Sequence, residues 1–334
     1  MALQFIFGGS GSGKTHHLYK TIIDESVKYP NRNYMVLVPE QFTMQTQKDL
    51  VMASPHKGIL NIEVLSFNRL AHRVFEETGE NGRMILSDVG KNLVIRKVAG
   101  DNEEKLKVLG ANLRKMGYVN EMKSVISEFA QYDIGPEALD EILESVKQYP
   151  NLYYKLGDIR VVYEAFQEYL RGKYITSDEI LDVLAMVVAK SKLLKDSVIV
   201  LDGFTGFTPI QLKVIRKLMT CADEFIMTIT MDPREVGEEA KMQQLFSLSQ
   251  KTIRDVGKIA KEESIEAKPW IWMEGEKKRF LQAPNLAHLE ENLFRYPYQV
   301  TQERPEEIRI FEAKTIEEEV KKACKQIRVL LQKG

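Results

Sequence analysis

A glycine-rich octapeptide near the start of the chain constrains the fold more than any other feature. Residues 8–15 read GGSGSGKT and match the P-loop pattern G-x-x-x-x-G-K-[ST]. A short apolar run precedes the octapeptide at residues 3–7, and an amphipathic stretch follows it at residues 14–29. A strand, a glycine loop and a helix in this order aim consecutive backbone N–H groups at one point, where they can hold phosphate oxygens. The pattern therefore predicts a nucleotide-phosphate site.

Two side chains of this loop have distinct expected roles, and a later segment adds a third. Lys14 is expected to reach the β- and γ-phosphates of ATP, and Thr15 is expected to ligate Mg²⁺. Residues 198–201 form an apolar run that ends at Asp202, the position where P-loop proteins hold Mg²⁺ with a carboxylate. The predicted metal ligands are thus Thr15 and Asp202. The predicted nucleotide-binding residues are Gly8, Gly9, Ser10, Gly11, Ser12, Gly13, Lys14 and Thr15.

Strand and helix signals alternate on both sides of a long helical stretch, which predicts an α/β fold. We expect a parallel sheet of the P-loop NTPase (RecA-like) kind from residues 1–82 and 196–275. Residues 83–195 show helical periodicity and predict a large all-helical insertion. Residues 276–334 are expected to be a linker and the truncated start of a second RecA-like domain. The predicted strands include residues 34–38, 59–65, 198–201, 225–231 and 308–311, and those at 34–38 and 198–201 are expected to be buried.

Composition limits the classes of partner and compartment. The 334 residues carry 47 Lys and Arg against 48 Asp and Glu, so a nucleic-acid site must be a local basic patch. Residues 91–130 are net basic, which fits a solvated helical face or a phosphate-backbone contact. Cys221 and Cys324 have no CxxC partner, which favours a reducing compartment. No apolar run is long enough to span a bilayer and no signal peptide is visible, so we expect a cytoplasmic protein without membrane contact.

The order of motifs resembles the N-terminal part of AddB, the B subunit of the bacterial AddAB helicase–nuclease. The segment at residues 201–211 stands where a superfamily 1 helicase has its DEFQD-type motif, and residues 308–331 resemble the first strand and helix of a second motor domain. Several segments carry the resemblance, namely FGGSGSGKT at 7–15, VLVPEQF at 36–42, IEVLSFNRLAHRVF at 62–75, LDGFTGFTPIQ at 201–211 and LEENLFR at 289–295.

The resemblance implies a role in double-strand-break repair and homologous recombination. It implies a heterodimer with an AddA-type helicase–nuclease partner, and contact with DNA that includes recognition of the Chi sequence. The nuclease of the family and the cysteines that ligate its iron–sulfur cluster belong to a C-terminal region that these 334 residues do not contain. We therefore expect the chain to be an N-terminal fragment that lacks the nuclease.

Departures from the helicase pattern argue against a working motor. Gly203 follows Asp202 where helicases place a glutamate that activates water, and residues 224–233 lack the GDxxQ element that senses the γ-phosphate. Arg295 is displaced by one residue from the helicase spacing. We expect ATP binding without translocation and assign no catalytic residue. The alternatives are a self-sufficient P-loop ATPase or small-molecule kinase, and a P-loop that serves structure alone.

Overall fold

The computed structural model describes residues 1–80, 84–112, 115–235, 244–273, 278–301, 305 and 307–333. The chain divides into two compact units. The first unit contains residues 1–9 and 13–274, and the second contains Ser10–Ser12 with residues 275–334. The described strands are Ala2–Gly8 (β1), Tyr34–Leu37 (β2), Ile62–Leu65 (β3), Met84–Leu86 (β4), Tyr174–Thr176 (β5), Val198–Leu201 (β6), Glu224–Thr230 (β7), Glu266–Ala267 (β8) and Ile271–Trp272 (β9).

Helices separate most of these strands along the chain. The described α-helices are Lys14–Lys28 (α1), Thr43–Ala53 (α2), Phe67–Thr78 (α3), Asp88–Asp101 (α4), Met116–Gln131 (α5), Pro136–Ser145 (α6), Pro150–Leu170 (α7), Ile180–Val187 (α8), Pro209–Cys221 (α9), Ser247–Glu262 (α10), Pro284–Asn292 (α11) and Ile316–Lys333 (α12).

The first unit is built on a seven-stranded sheet in the order β3-β2-β6-β7-β1-β8, and β9 also pairs with β1. Its strand pairs are parallel, as the alternating signals predict. The register aligns Leu37 with Leu201, Leu201 with Met227, and Met227 with Phe5. Gly8 ends β1 and Asp202 follows β6, so both lie at the carboxyl edge of the sheet, as expected.

Alternate residues of each strand face two separate cores, because side chains in a strand point to opposite faces in turn. Phe5 and Phe7 face a core that α3, α8, α9 and α10 cover, whereas Ile6 faces the core formed with α1 and α2. The central strands β2 and β6 are buried on both faces, which explains their continuous apolar sequence.

The segment between β3 and β6 forms its own hydrophobic core from α4, α5, α6 and α7. It is not all-helical, because β4 and β5 pair in parallel as a second small sheet. Each strand is three residues long, too short for its alternation to stand out in the sequence. The domain boundaries given above for this segment stay predictions.

The second unit departs from expectation at residues 308–311. Among its described residues no strand forms there, and the Ile310 side chain is 95% exposed. An apolar run becomes a strand only when a neighbouring strand supplies its hydrogen bonds. On α12, the apolar residues Val320, Ile327 and Leu331 are largely exposed.

No helix in the described ranges is long and apolar enough to cross a membrane.

Candidate nucleotide site

The glycine loop joins β1 to α1 through a left-handed residue. Gly13 has φ +91° and is the N-cap of α1, a conformation that L side chains rarely adopt. No side chain caps the helix, and its first turn carries no acidic residue. The first N–H groups of a helix lack intrahelical partners, so this end of α1 can receive an anion.

Lys14 is folded into the loop rather than extended into solvent. Its Nζ donates to the carbonyl oxygens of Gly8 and Gly9 at 2.8 Å each, and the residue is only 9% exposed. A buried ammonium group needs acceptors, and the carbonyls of Gly8 and Gly9 supply two of them.

Asp202 lies opposite the loop, with its carboxylate enclosed by hydroxyl groups. Thr15 Oγ1 donates to Asp202 Oδ1 over 3.2 Å, and Thr228 Oγ1 donates to the same oxygen over 2.5 Å. The Tyr19 hydroxyl lies 3.3 Å from Oδ2. Asp202 is 6% exposed, so this ring of donors provides the hydrogen bonds that a buried carboxylate requires.

Thr228 reaches this carboxylate because of strand register. Leu201 pairs with Met227, so the next residue on β7 lies beside Asp202. The motif analysis missed Thr228. The sequence signal that could have revealed it is a threonine inside the mostly apolar run of residues 225–231, where a buried hydroxyl needs a hydrogen-bond partner.

Tyr19 was also missed, because it falls on α1 outside the glycine pattern. Its hydroxyl lies 3.2 Å from Thr46 Oγ1 on α2 as well as near Asp202. Burial, and then the negative charge of Asp202, raise the pKa of Tyr19 above its usual value of 10.0. The phenol therefore stays protonated and can act as a donor to the carboxylate.

The oxygen atoms present suit Mg²⁺, which prefers a few hard oxygen ligands and keeps its remaining positions for water and phosphate. Thr15 Oγ1 and Asp202 Oδ1 already converge within 3.2 Å. No group of three or more His, Cys, Asp and Glu in the described part of the chain could hold a metal alone. A cation here would therefore depend on one hydroxyl, one carboxylate and the phosphates of a nucleotide.

Two other parts of the sequence prediction concern Gly203 and the tip of the glycine loop. Gly203 follows Asp202 with φ +77° and places no side chain at the position of the helicase glutamate. Ser10–Ser12, the tip of the octapeptide, group with the second unit. Within that unit the backbone N–H of Ser10 donates to the Glu290 carboxylate over 3.1 Å.

The net-basic stretch at residues 91–130 is partly neutralised by the chain itself. Lys91 is buried and pairs with Asp178 over 2.7 Å. Lys97 pairs with Asp101, and Lys123 with Asp88. These pairs reduce the positive charge available to a phosphate backbone.

Comparison with known proteins places this chain in a family. A family model described as ADDB, N-terminal, matches residues 5–290. The chain belongs to the AddB family. Family members similar to this chain are named as the B subunit of an ATP-dependent helicase/deoxyribonuclease. One from Lachnoclostridium phytofermentans is 46% identical over 99% of the chain, and one from Clostridium kluyveri is 36% identical over 94%. A third, from Caldanaerobacter subterraneus, is 35% identical over 99%.

The chain spans less than a third of these AddB relatives, covering 29%, 27% and 28% of their respective lengths. Their name marks each of them as one subunit of a complex. The resemblance read from the sequence is thereby confirmed at the level of the family.

Proposed function

We propose that this chain is the nucleotide-binding N-terminal part of the B subunit of a helicase/deoxyribonuclease, which binds ATP with Mg²⁺ and does not translocate. The observation that carries the proposal is the 3.2 Å contact between Thr15 Oγ1 and Asp202 Oδ1, two residues 187 positions apart. Folding brings together the two predicted metal ligands beside a buried lysine, at the carboxyl edge of a parallel sheet. Ligands of open α/β sheets bind at this edge.

Each residue of the site has a defined task in this proposal. The glycine loop and the first turn of α1 would receive the phosphates. Lys14 would contact the β- and γ-phosphate oxygens. Thr15 and Asp202 would hold Mg²⁺, which would neutralise phosphate charge.

The strand order supports a P-loop NTPase fold of the RecA-like kind. β7 lies between β1, which leads into the glycine loop, and β6, which leads into Asp202. The end of β1 and the end of β6 therefore flank β7 at the same edge of the sheet.

Two features around the site support the proposed lack of translocation. Gly203 has no side chain that could act as a general base, and Thr228 of β7 donates its hydroxyl to Asp202. The name of the relatives supports a complex with a partner subunit that acts on DNA. We propose further that the partner is of the AddA type and that the complex serves double-strand-break repair and recombination in the cytoplasm. The nuclease and its iron–sulfur cluster would lie outside these residues.

Calorimetric titration with ATP in Mg²⁺ tests the proposal. We expect Lys14→Ala and Asp202→Asn to weaken binding at least about tenfold, the equivalent of roughly 1.4 kcal/mol. Lys20→Ala is the matched control, because Lys20 is an exposed lysine on the same helix. Equal affinity in folded Lys14→Ala and wild-type protein would refute the nucleotide site.

A further inference from the structure

The hydroxyl group of Tyr19 bridges the Asp202 carboxylate to a different helix. It lies 3.3 Å from Asp202 Oδ2 and 3.2 Å from Thr46 Oγ1. All three residues are buried, with exposures of 7%, 6% and 5% for Tyr19, Asp202 and Thr46. The bridge therefore joins α1, α2 and the end of β6 away from solvent.

The direction of the hydrogen bonds follows from the chemistry of the three groups. An ionised carboxylate only accepts, so the Tyr19 O–H must donate to Asp202. Since that proton is then committed, Thr46 must donate to the Tyr19 oxygen. The result is a directed chain from Thr46 through Tyr19 to Asp202.

Tyr19 contacts a different oxygen of Asp202 from the one that the two threonines contact. Thr15 and Thr228 both donate to Oδ1 of Asp202, whereas Tyr19 donates to Oδ2. Both oxygens lie off the Cβ–Cγ axis, so a donor on Oδ2 adds a third restraint on the rotation of the carboxylate to the two on Oδ1. The phenol therefore contributes to the orientation of Asp202.

Packing alone does not require this hydroxyl group. The ring of Tyr19 belongs to the core that also contains Leu18, Ile22 and Ile23 of the same helix. A phenylalanine would fill that place equally well, and a buried hydroxyl is costly unless it is hydrogen-bonded. The hydroxyl is thus tied to Asp202 and Thr46 rather than to the hydrophobic core.

We propose that Tyr19, held by Thr46, is a positioning residue for the magnesium ligand Asp202. This inference rests on the proposed nucleotide site and adds a requirement to it. Mg²⁺ demands near-octahedral geometry, so a carboxylate that turns freely binds it less well. Loss of a group that orients a metal ligand typically lowers metal affinity by about 10- to 100-fold.

The test compares ATP affinity in saturating Mg²⁺ with ATP affinity in a chelator, by calorimetry on the whole chain. The ratio of the two affinities measures what Mg²⁺ contributes. We expect Tyr19→Phe to reduce that ratio by about tenfold or more, and to leave the affinity in chelator nearly unchanged. Tyr163→Phe is the control, since Tyr163 is another buried tyrosine whose hydroxyl donates to a backbone carbonyl, that of Ile134.

A second pair of variants covers a failure of Tyr19→Phe to fold. Thr46→Val removes the donor to Tyr19 and should lower the same ratio, whereas Thr46→Ser keeps a hydroxyl and should restore it. An unchanged ratio in folded Tyr19→Phe, or in Thr46→Val if only that variant folds, overturns the inference. Equal losses with and without Mg²⁺ overturn it too, because they indicate a structural role. Wild-type protein that binds ATP in neither condition instead refutes the proposed function, and the inference falls with it.

Discussion

Gly203 carries a backbone constraint in addition to its missing side chain. Its φ of +77° lies in the left-handed region, where a residue with a Cβ is strained by about 1–3 kcal/mol. We predict that Gly203→Ala lowers the free energy of unfolding by about 1–2 kcal/mol. Urea unfolding with a circular dichroism readout measures this change.

Gly206→Ala is the control for that measurement, because Gly206 lies in the same loop, has no positive φ, and has open space around its Cβ position. A loss of stability that is the same in both variants would contradict the backbone argument. The same strain applies to Gly203→Glu, so placing the helicase glutamate there disturbs the loop that carries Asp202.

At the scale of single residues, contiguous motifs in the sequence pointed to Lys14, Thr15 and Asp202, and the structure brings Thr15 and Asp202 into contact. Their roles toward a nucleotide stay predictions. The motifs did not point to Thr228 and Tyr19, because their contacts with Asp202 join residues 26 and 183 positions apart and depend on strand register and helix rotation. The burial of Lys14 was also missed, since a motif does not show which acceptors surround an ammonium group.

At the scale of elements, residues close together in the sequence explain where helices begin and which strands are buried. Ser66 caps α3 by accepting from the Arg69 N–H, and Thr208 and Gln211 form a capping box at the start of α9. The central strands followed from their unbroken apolar runs. The sequence did not predict β4 and β5, and it wrongly predicted a strand at residues 308–311. In both cases, pairing with a segment distant in the sequence determines whether a strand forms.

Glu77 ties the end of α3 to the segment that leads into β6. Its carboxylate accepts hydrogen bonds from Ser191 Oγ at 2.5 Å and from the backbone N–H groups of Lys192 and Leu193 at 2.7 and 3.0 Å. Burial alone would raise the pKa of Glu77, but these hydrogen bonds outweigh it and hold the pKa below its usual 4.5. The ionised form is therefore the one that stabilises the fold.

A pH dependence follows with a definite sign. The pKa is lower in the folded than in the unfolded chain, so the stabilisation is present above 4.5 and is lost as pH falls through the folded-state value. We predict that Glu77→Gln is less stable than wild type at neutral pH and that the gap narrows on acidification. Denaturant titrations at several pH values measure it, with the neighbouring exposed Glu76→Gln as control. A gap that does not change with pH would contradict the prediction.

Asp158 holds a loop of the inserted segment against α7. Its carboxylate is 2% exposed and accepts the backbone N–H groups of Lys107, Val108 and Leu109 at 2.8, 2.7 and 2.7 Å. Asp158→Ala leaves these donors unpaired, and we predict a loss of about 3 kcal/mol in the free energy of unfolding.

Urea unfolding also checks this prediction. Lys155→Ala, an exposed change on the same helix, should alter stability by less than about 0.5 kcal/mol. Equal midpoints for Asp158→Ala and wild type would show that the loop does not depend on this carboxylate.

At the scale of the whole molecule, the order of motifs along the chain predicted the family, although only the glycine loop is specific alone. A match over residues 5–290 confirms that prediction. Several weak motifs in the right order are jointly specific, because each further match multiplies the improbability of a chance resemblance. Motifs do not locate the domain boundaries, because they mark functional sites and not the edges of hydrophobic cores.

At the scale of the whole chain, we predict that ATP binds but that DNA does not stimulate its hydrolysis. A general base typically contributes about 10²- to 10⁴-fold in rate, or roughly 3 to 5 kcal/mol of barrier. Gly203 cannot supply one. Two other carboxylates take part in ion pairs, since Glu40 pairs with Arg69 over 3.3 Å and Asp232 pairs with Arg234 over 2.6 Å.

Steady-state phosphate release, with and without DNA, decides the matter. We expect no release above the level of Lys14→Ala, in protein that calorimetry shows to bind ATP. Turnover of about 1 to 10³ per second that Lys14→Ala abolishes would contradict the prediction. Glu40→Gln and Asp232→Asn would then identify the base, because only the carboxylate that activates water should remove turnover and leave ATP affinity intact.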